Sequence, residues 1–212
     1  MGMAFDMLDG VARRLIDKPL NRAGTALAAR GWQADHVTLA GLALGLLAAG
    51  LIWTGWPLIA LAFLLASRIA DGLDGAVARA TTKTDFGGYL DICADFAFYA
   101  AIPLAFVLAD PAQNGAAGAF LLATFYINGS TFLGYAVLAE RAKMQTTSRG
   151  AKTLYFTGGL LEGTETIVFF CALCLLPHLF TPLAWAFGGL CLVTAISRVL
   201  LARQTFSGEE TQ

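Results

Sequence analysis

The sequence is short of charge. Of its 212 residues only 14% are Asp, Glu, Lys or Arg, against 57% hydrophobic, and the mean hydropathy is +0.65. A water-soluble domain carries about 25% charged residues. This chain therefore lacks the polar surface to coat a globule in water, which excludes an ordinary soluble enzyme and a disordered chain. Cysteine is scarce as well. Cys93, Cys171, Cys174 and Cys191 all fall inside apolar runs, which excludes a disulfide-stapled secreted module. The Cys171-x-x-Cys174 spacing lacks the strand–helix context of a redox motif, so packing as buried, small apolar groups is the expected role. Histidine is rarer still. His36 reads as a helix-start cap or headgroup contact and His178 as an outer-loop residue, and neither has the partners of a metal site. The net charge of -1 says little by itself, and no nucleic-acid partner is expected.

What the chain has in quantity is long apolar sequence. Six runs, about 36–53, 57–79, 87–108, 116–138, 153–176 and 182–201, are each long enough to cross a hydrocarbon core of about 30 Å as a helix. Breakers fall between them: Thr54-Gly55-Trp56-Pro57, Asp110-Pro111 with Asn114-Gly115, and Pro177-His178 with Pro182. The predicted fold class is an all-α integral membrane protein of six transmembrane helices. Ahead of them, Ala4, Leu8, Val11, Leu15 and Ile16 recur at helical spacing among charged residues, which predicts an amphipathic interfacial helix over about 4–18. No cleavable signal is expected, because the first apolar run is too long and too late. One membrane domain over 1–206 and a polar tail at 207–212 complete the expected organisation.

The few cations give the orientation. Arg13, Arg14, Lys18, Arg22 and Arg30 precede the first run, Arg79 and Lys83 lie between the second and third, and Arg141, Lys143, Arg149 and Lys152 between the fourth and fifth. Arg198 and Arg203 close the last run, and the other three connections contain no Lys or Arg. The positive-inside rule then places both termini and the basic loops in the cytoplasm. An even number of spans demands the same.

Six acids sit inside the apolar runs: Asp71, Asp74, Asp91, Asp95, Glu162 and Glu165. An ionised carboxylate at a bilayer centre costs about 3 kcal/mol by insertion scales, so such acids face a polar cavity and have partners. Asp71-x-x-Asp74 ends the second run and Asp91-x-x-x-Asp95 begins the third. Spacings of three and four put each pair on one helix face, at one end of a hairpin. Four carboxylates this close repel unless cations fill the gap, and an oxygen-only ligand set favours Mg²⁺, Mn²⁺ or Ca²⁺ over zinc. A two-metal site is the economical reading. Gly72, Gly75, Ala76, Ala78 and Gly87 leave the neighbouring helix faces nearly bare, beside Arg79 and Lys83. Metals, bare backbone and an arginine suit a diphosphate.

The residues that carry a family likeness are Asp71-Gly-Leu-Asp74-Gly75-Ala-Val-Ala78-Arg79, seven further residues, then Gly87-Gly-Tyr-Leu-Asp91-Ile-Cys-Ala-Asp95. This stretch resembles the D-x2-D-G-x2-A-R-x7–8-G-x3-D-x3-D signature of the CDP-alcohol phosphotransferases, and all eight fixed positions match. The resemblance implies transfer of a substituted phosphate from a CDP-linked donor, with phosphatidyl from CDP-diacylglycerol favoured, to a small alcohol or lipid acceptor, releasing CMP. It implies two divalent cations, Mg²⁺ or Mn²⁺, held by Asp71, Asp74, Asp91 and Asp95, with Asp95 also the general base. Gly75, Ala78, Arg79 and Gly87 would line the CDP site, at the cytoplasmic face of a bacterial inner membrane. A homodimer is implied as well.

Other polar residues remain open. Arg68 is expected to pair with Glu162, with Glu165 or with the aspartate cluster, or else to be a buried pair that only fixes helix packing. Glu162 and Glu165 share a face suited to the acceptor pocket. Arg149 and Lys152 would hold an acceptor phosphate or serve topology alone; Lys152-Thr153 loosely resembles a pair in some phosphatidylglycerophosphate synthases. Two readings of other classes stand beside the enzyme: an ion or proton transporter using the intramembrane acids, and a non-catalytic membrane scaffold. Against the transporter, the aspartates cluster at one membrane face.

Overall fold

The computed structural model describes residues 18–142 and 163–207. All but the last residue of the expected interfacial helix, together with Lys143, Arg149, Lys152 and Glu162, lies outside the described residues. Every regular element within them is helical. After a helix at 18–29 (α1) come α2 (Ala34–Trp53), α3 (Pro57–Ala80), α4 (Asp85–Ala109), α5 (Pro111–Arg141), α6 (Gly163–Leu175) and α7 (Phe180–Phe206), with a 3₁₀ turn at Pro177–Leu179. Four of the helical segments are long and apolar enough to cross a membrane: α2, α4, α5, and α7 together with its preceding turn. The chain is a membrane protein whose large apolar side chains, such as Leu58, Ile69, Ile196 and Leu200, stand exposed on the outside of the helices.

α3 is not among those four, and the reason is chemical. Arg68, Asp71, Asp74 and Arg79 all fall between its midpoint and its C-terminus, so no 18-residue stretch of it is purely apolar. The described part of α6 is apolar but only 13 residues long.

Helix boundaries follow local capping. Gln33 starts α2 through a capping box in which its backbone N–H donates to His36 Nδ1 at 3.4 Å, so His36 does cap. Asp110 accepts from Gln113 N at 3.1 Å and Pro111 fills the first helical position of α5. That cap outweighs the Asn114-Gly115 pair, which lies inside the helix rather than in a turn. Asn114 instead donates to Phe106 O at 2.9 Å.

Two compact units divide the chain, Met1–Ile102 and Pro103–Gln212. In the first, α2 packs on α3 along a stripe of Val37, Thr38, Gly41, Gly45, Ala48 and Ile52, a single helix face. Small residues let the backbones close in. A Cβ on Gly41 would stand 3.1 Å from that of Ala70, and one on Gly45 would stand 2.6 Å from the Phe98 ring. Gly41 and Gly45, four residues apart on one helix face, thus allow the close approach. In the second unit α5 packs on α7, where a Cβ on Gly188 would come within 2.6 Å of the Phe120 ring. Arg198, read above only as an orientation charge, is buried there. Its guanidinium lies 2.9–3.0 Å from Asn128 O and Oδ1 and from Thr131 Oγ1. Cys174 and Cys191 are buried, but Cys93 is exposed and Cys171 half-buried. Simple core packing therefore does not describe Cys93, which α4 turns outward.

Candidate active site

The turn that brings α3 and α4 together is built by threonines. Thr81 ends α3 with its hydroxyl donating to Val77 O at 2.9 Å. Thr84 Oγ1 accepts from Gly87 N at 3.0 Å, as an N-cap does for the first turn of α4. A side chain at 87 would crowd this cap. A Cβ there would lie 3.0 Å from Thr84 Oγ1 and 3.1 Å from Asp35 Oδ1. The bare surface at Gly87 thus serves the chain's own turn and the start of α2.

With the turn fixed, the facing carboxylates converge. Asp71 on α3 and Asp91 and Asp95 on α4 each offer an oxygen within 4.8 Å of the others, and all three are half-buried. Two oxygens on opposite sides of one Mg²⁺ at about 2.1 Å are about 4.2 Å apart. Three oxygens cannot all be opposite one another, so at least two of their separations must close to about 3.0 Å, a change that side-chain rotation would supply. An all-carboxylate donor set suits a hard divalent cation, so these residues fit the ions that the signature implies.

Asp74, one turn from Asp71 and buried, has a different environment. Its Oδ2 accepts from Thr38 Oγ1 of α2 at 2.6 Å. The same hydroxyl lies 3.1 Å from Ala34 O. With a single proton to give, the shorter contact to the carboxylate takes it. Thr38→Val is expected to leave that carboxylate buried without its donor and to lower unfolding stability by about 2 kcal/mol. Thermal unfolding in detergent checks this, with Thr38→Ser restoring the loss. Equal stability of the Thr and Val forms would show that the contact carries no weight.

The cation expected near the cluster is there. Arg68 Nη1 donates to Asp95 Oδ1 at 2.7 Å and lies 3.6 Å from Asp71 Oδ1. The aspartate cluster, one of the partners considered for Arg68, supplies both of these acids. Glu165 stands exposed in the first turn of α6, in the second unit. Arg79 is exposed, its Nη1 beside Gly75 and its Nη2 donating to Asn21 Oδ1 of α1 at 2.9 Å. A Cβ at Gly75 would stand 3.4 Å from that Nη1, an ordinary contact. Ala78 is half-buried next to it.

Several residues of the site went unremarked in the sequence. Thr38 is the lone hydroxyl of α2 and Ser67 the lone hydroxyl of α3. Solitary hydroxyls in apolar helices tend to bond across helices, and that signal was available. Asn21 and Phe98 carried none, because their roles depend on contacts far apart in sequence.

Comparison with known proteins bears on what this arrangement is. The family model described as CDP-alcohol phosphatidyltransferase matches residues 32–197. The chain is 45% identical over 186 residues to the inner membrane protein YnjF of Escherichia coli strain K12, covering 88% of this chain and 85% of that one. A shorter match, 37% over 84 residues, covers 39% of this chain and 45% of the archaetidylinositol phosphate synthase of Pyrococcus horikoshii. Among solved structures, Mycobacterium tuberculosis phosphatidylinositol phosphate synthase PgsA1 with CDP-DAG bound superposes with a TM-score of 0.70 at 20% identity, over 87% of this chain and 93% of that one. The same enzyme in complex with manganese and citrate gives 0.69 at 19%, over 86% and 88%. At that identity the likeness speaks for the fold. The family model spans well over half of the chain, and on that ground the protein belongs to the CDP-alcohol phosphatidyltransferase family.

Proposed function

We propose that this protein transfers a phosphatidyl group from CDP-diacylglycerol to an alcohol acceptor, releasing CMP, as a step in phospholipid synthesis. The observation that carries the reading is the convergence of Asp71, Asp91 and Asp95 from two helices within one signature. Family membership and the CDP-DAG and manganese recorded for the PgsA1 structures support it.

Asp71, Asp91 and Asp95, with Asp74 beside them, would hold two divalent cations, Mg²⁺ or Mn²⁺. Bound there, such ions supply positive charge against the diphosphate and the departing CMP. The remaining work falls to the chain itself. Arg79, steadied by Asn21, offers its guanidinium to a phosphate oxygen beside Gly75. Ala78 and Gly87 keep the neighbouring surface low. Asp95 accepts the proton of the acceptor hydroxyl. The hydroxyl oxygen forms a bond to the phosphorus carrying diacylglycerol, the bond from that phosphorus to the CMP oxygen breaks, and CMP leaves with the electron pair.

In this reading all six apolar runs span a bacterial inner membrane behind an interfacial helix, with both termini and the site on the cytoplasmic side, and the protein works as a homodimer. Arg149, Lys152, Glu162 and Glu165 belong to the acceptor side. The test is direct. Purified protein in detergent with CDP-diacylglycerol, Mn²⁺ or Mg²⁺ and a panel of alcohols, including glycerol 3-phosphate, inositol phosphate and serine, should release CMP with at least one of them. No CMP with any acceptor would overturn the proposal.

A further inference from the structure

We infer that Arg68 is a built-in cation of the aspartate cluster, which aims Asp95 and lowers the affinity of the cluster for divalent ions. The role given to Asp95 rests on the transferase reading; the effect on metal binding does not.

The observations come from three helices of one unit. Arg68 sits one turn before Asp71 on α3, farther from the connecting turn than any of the aspartates on that helix. Its Nη1 spans the gap between the helices, 2.7 Å from Asp95 Oδ1 and 3.6 Å from Asp71 Oδ1. Its Nη2 donates to Ser67 Oγ at 3.2 Å, and Ser67 in turn donates to Gly41 O of α2 at 2.7 Å. The guanidinium carbon lies 3.8 Å from the centre of the Phe98 ring, and Phe98 is fully buried. Hydrogen bonds on two nitrogens and an aromatic plate together leave the guanidinium little freedom to rotate. Phe98 follows Asp95 by three residues, so the same helix face of α4 supplies both the carboxylate and the plate. The position of Arg68 is over-determined, and the carboxylate it holds inherits that precision.

A fixed positive charge beside Asp71 and Asp95 has a second consequence. Asp71 and Asp95 are two of the three residues whose oxygens fit a divalent ion, and Arg68 shares both of them. An ion entering the cluster meets repulsion from the guanidinium and competes with it for Asp95 Oδ1. Removing the charge should therefore tighten metal binding while loosening the aim of Asp95. Those two effects have opposite signs. A residue that merely held the helices together would, when lost, weaken metal binding and turnover alike.

The experiment measures Mn²⁺ binding and turnover separately on the full chain in detergent. Electron paramagnetic resonance of free Mn²⁺, titrated without any lipid substrate, gives the affinity, and CMP release gives kcat and KM. Arg68→Gln is expected to bind Mn²⁺ at least tenfold more tightly, to lose about a hundredfold in kcat, and to keep KM for CDP-diacylglycerol within about threefold. Arg68→Lys keeps the charge and, with it, folding. It is expected to bind Mn²⁺ within about twofold of the natural protein yet lose about tenfold in kcat, because an ammonium lacks the planar fork that meets Ser67 and Asp95 together. Unchanged or weakened Mn²⁺ affinity in a folded Arg68→Gln would overturn the metal half of the inference. Undiminished kcat in either variant would overturn the positioning half. Should the natural protein release no CMP, the function proposed above fails, whereas the Mn²⁺ titration still decides the role of Arg68 in metal binding.

Discussion

Asp95→Asn is expected to cut CMP release by about 10³-fold or more while the protein still folds. General-base catalysis is worth about 10² to 10⁴ in rate, and Asp95 is also one of the three residues whose oxygens fit a cation. The substitution keeps the shape of the side chain. An amide oxygen still accepts from Arg68 Nη1, so the contact at 2.7 Å need not be lost. What disappears is the capacity to take a proton and the negative charge toward the ion. A thermal transition in detergent within a few degrees of the natural protein, together with near-complete loss of CMP release, is the expected pair of results. Turnover close to that of the natural protein would remove Asp95 as the base.

Stripping divalent ions should be at least as severe. Asp71, Asp91 and Asp95 lie within 4.8 Å of one another and Asp74 is one turn away. Without cations, this much negative charge repels the diphosphate of a CDP-linked donor, and Arg68 alone cannot offset it. EDTA is expected to bring CMP release to background, with excess Mn²⁺ or Mg²⁺ restoring it. Asp91→Asn, which lowers the negative charge of the cluster, is expected to raise the Mn²⁺ concentration for half-maximal activity at least tenfold. Steady turnover in EDTA would be incompatible with a metal-dependent site.

The reach and the limits of the sequence follow from where its information lies. Two acids three apart and two acids four apart define helix faces by local geometry, so the meeting of Asp71 with Asp91 and Asp95 was legible once the short turn between them was seen. The charge-poor connections and long apolar runs likewise announced helices in a membrane. Arg68 was harder. Its depth was readable, but several acids lay at comparable depth, and only three-dimensional packing selected Asp95. Thr38 lies 36 residues from Asp74 and Asn21 lies 58 from Arg79. No period connects positions so distant; the first contact exists because small residues at Gly41, Gly45 and Ala70 let α2 and α3 close in, and the second because Gly24 lets α1 close on Ala76 of α3. Asn114-Gly115 misled in the opposite way, since turn chemistry yielded to a stronger cap just upstream.

The helix that bears most of the signature, α3, is the least suited to enter lipid alone. Each of the charges from Arg68 onward would cost about 3 kcal/mol at the bilayer centre. Asp74 and Ser67 find their partners, Thr38 and Gly41 O, on the helix made just before it. In the six-span reading proposed above, α3 is then best admitted to the membrane as the second arm of a hairpin, with Asp74 and Ser67 already matched to α2. Thr38 and Gly41 thereby become determinants of biogenesis as well as of packing, and their substitution should reduce the amount of protein delivered to the membrane before it alters the rate of any reaction there.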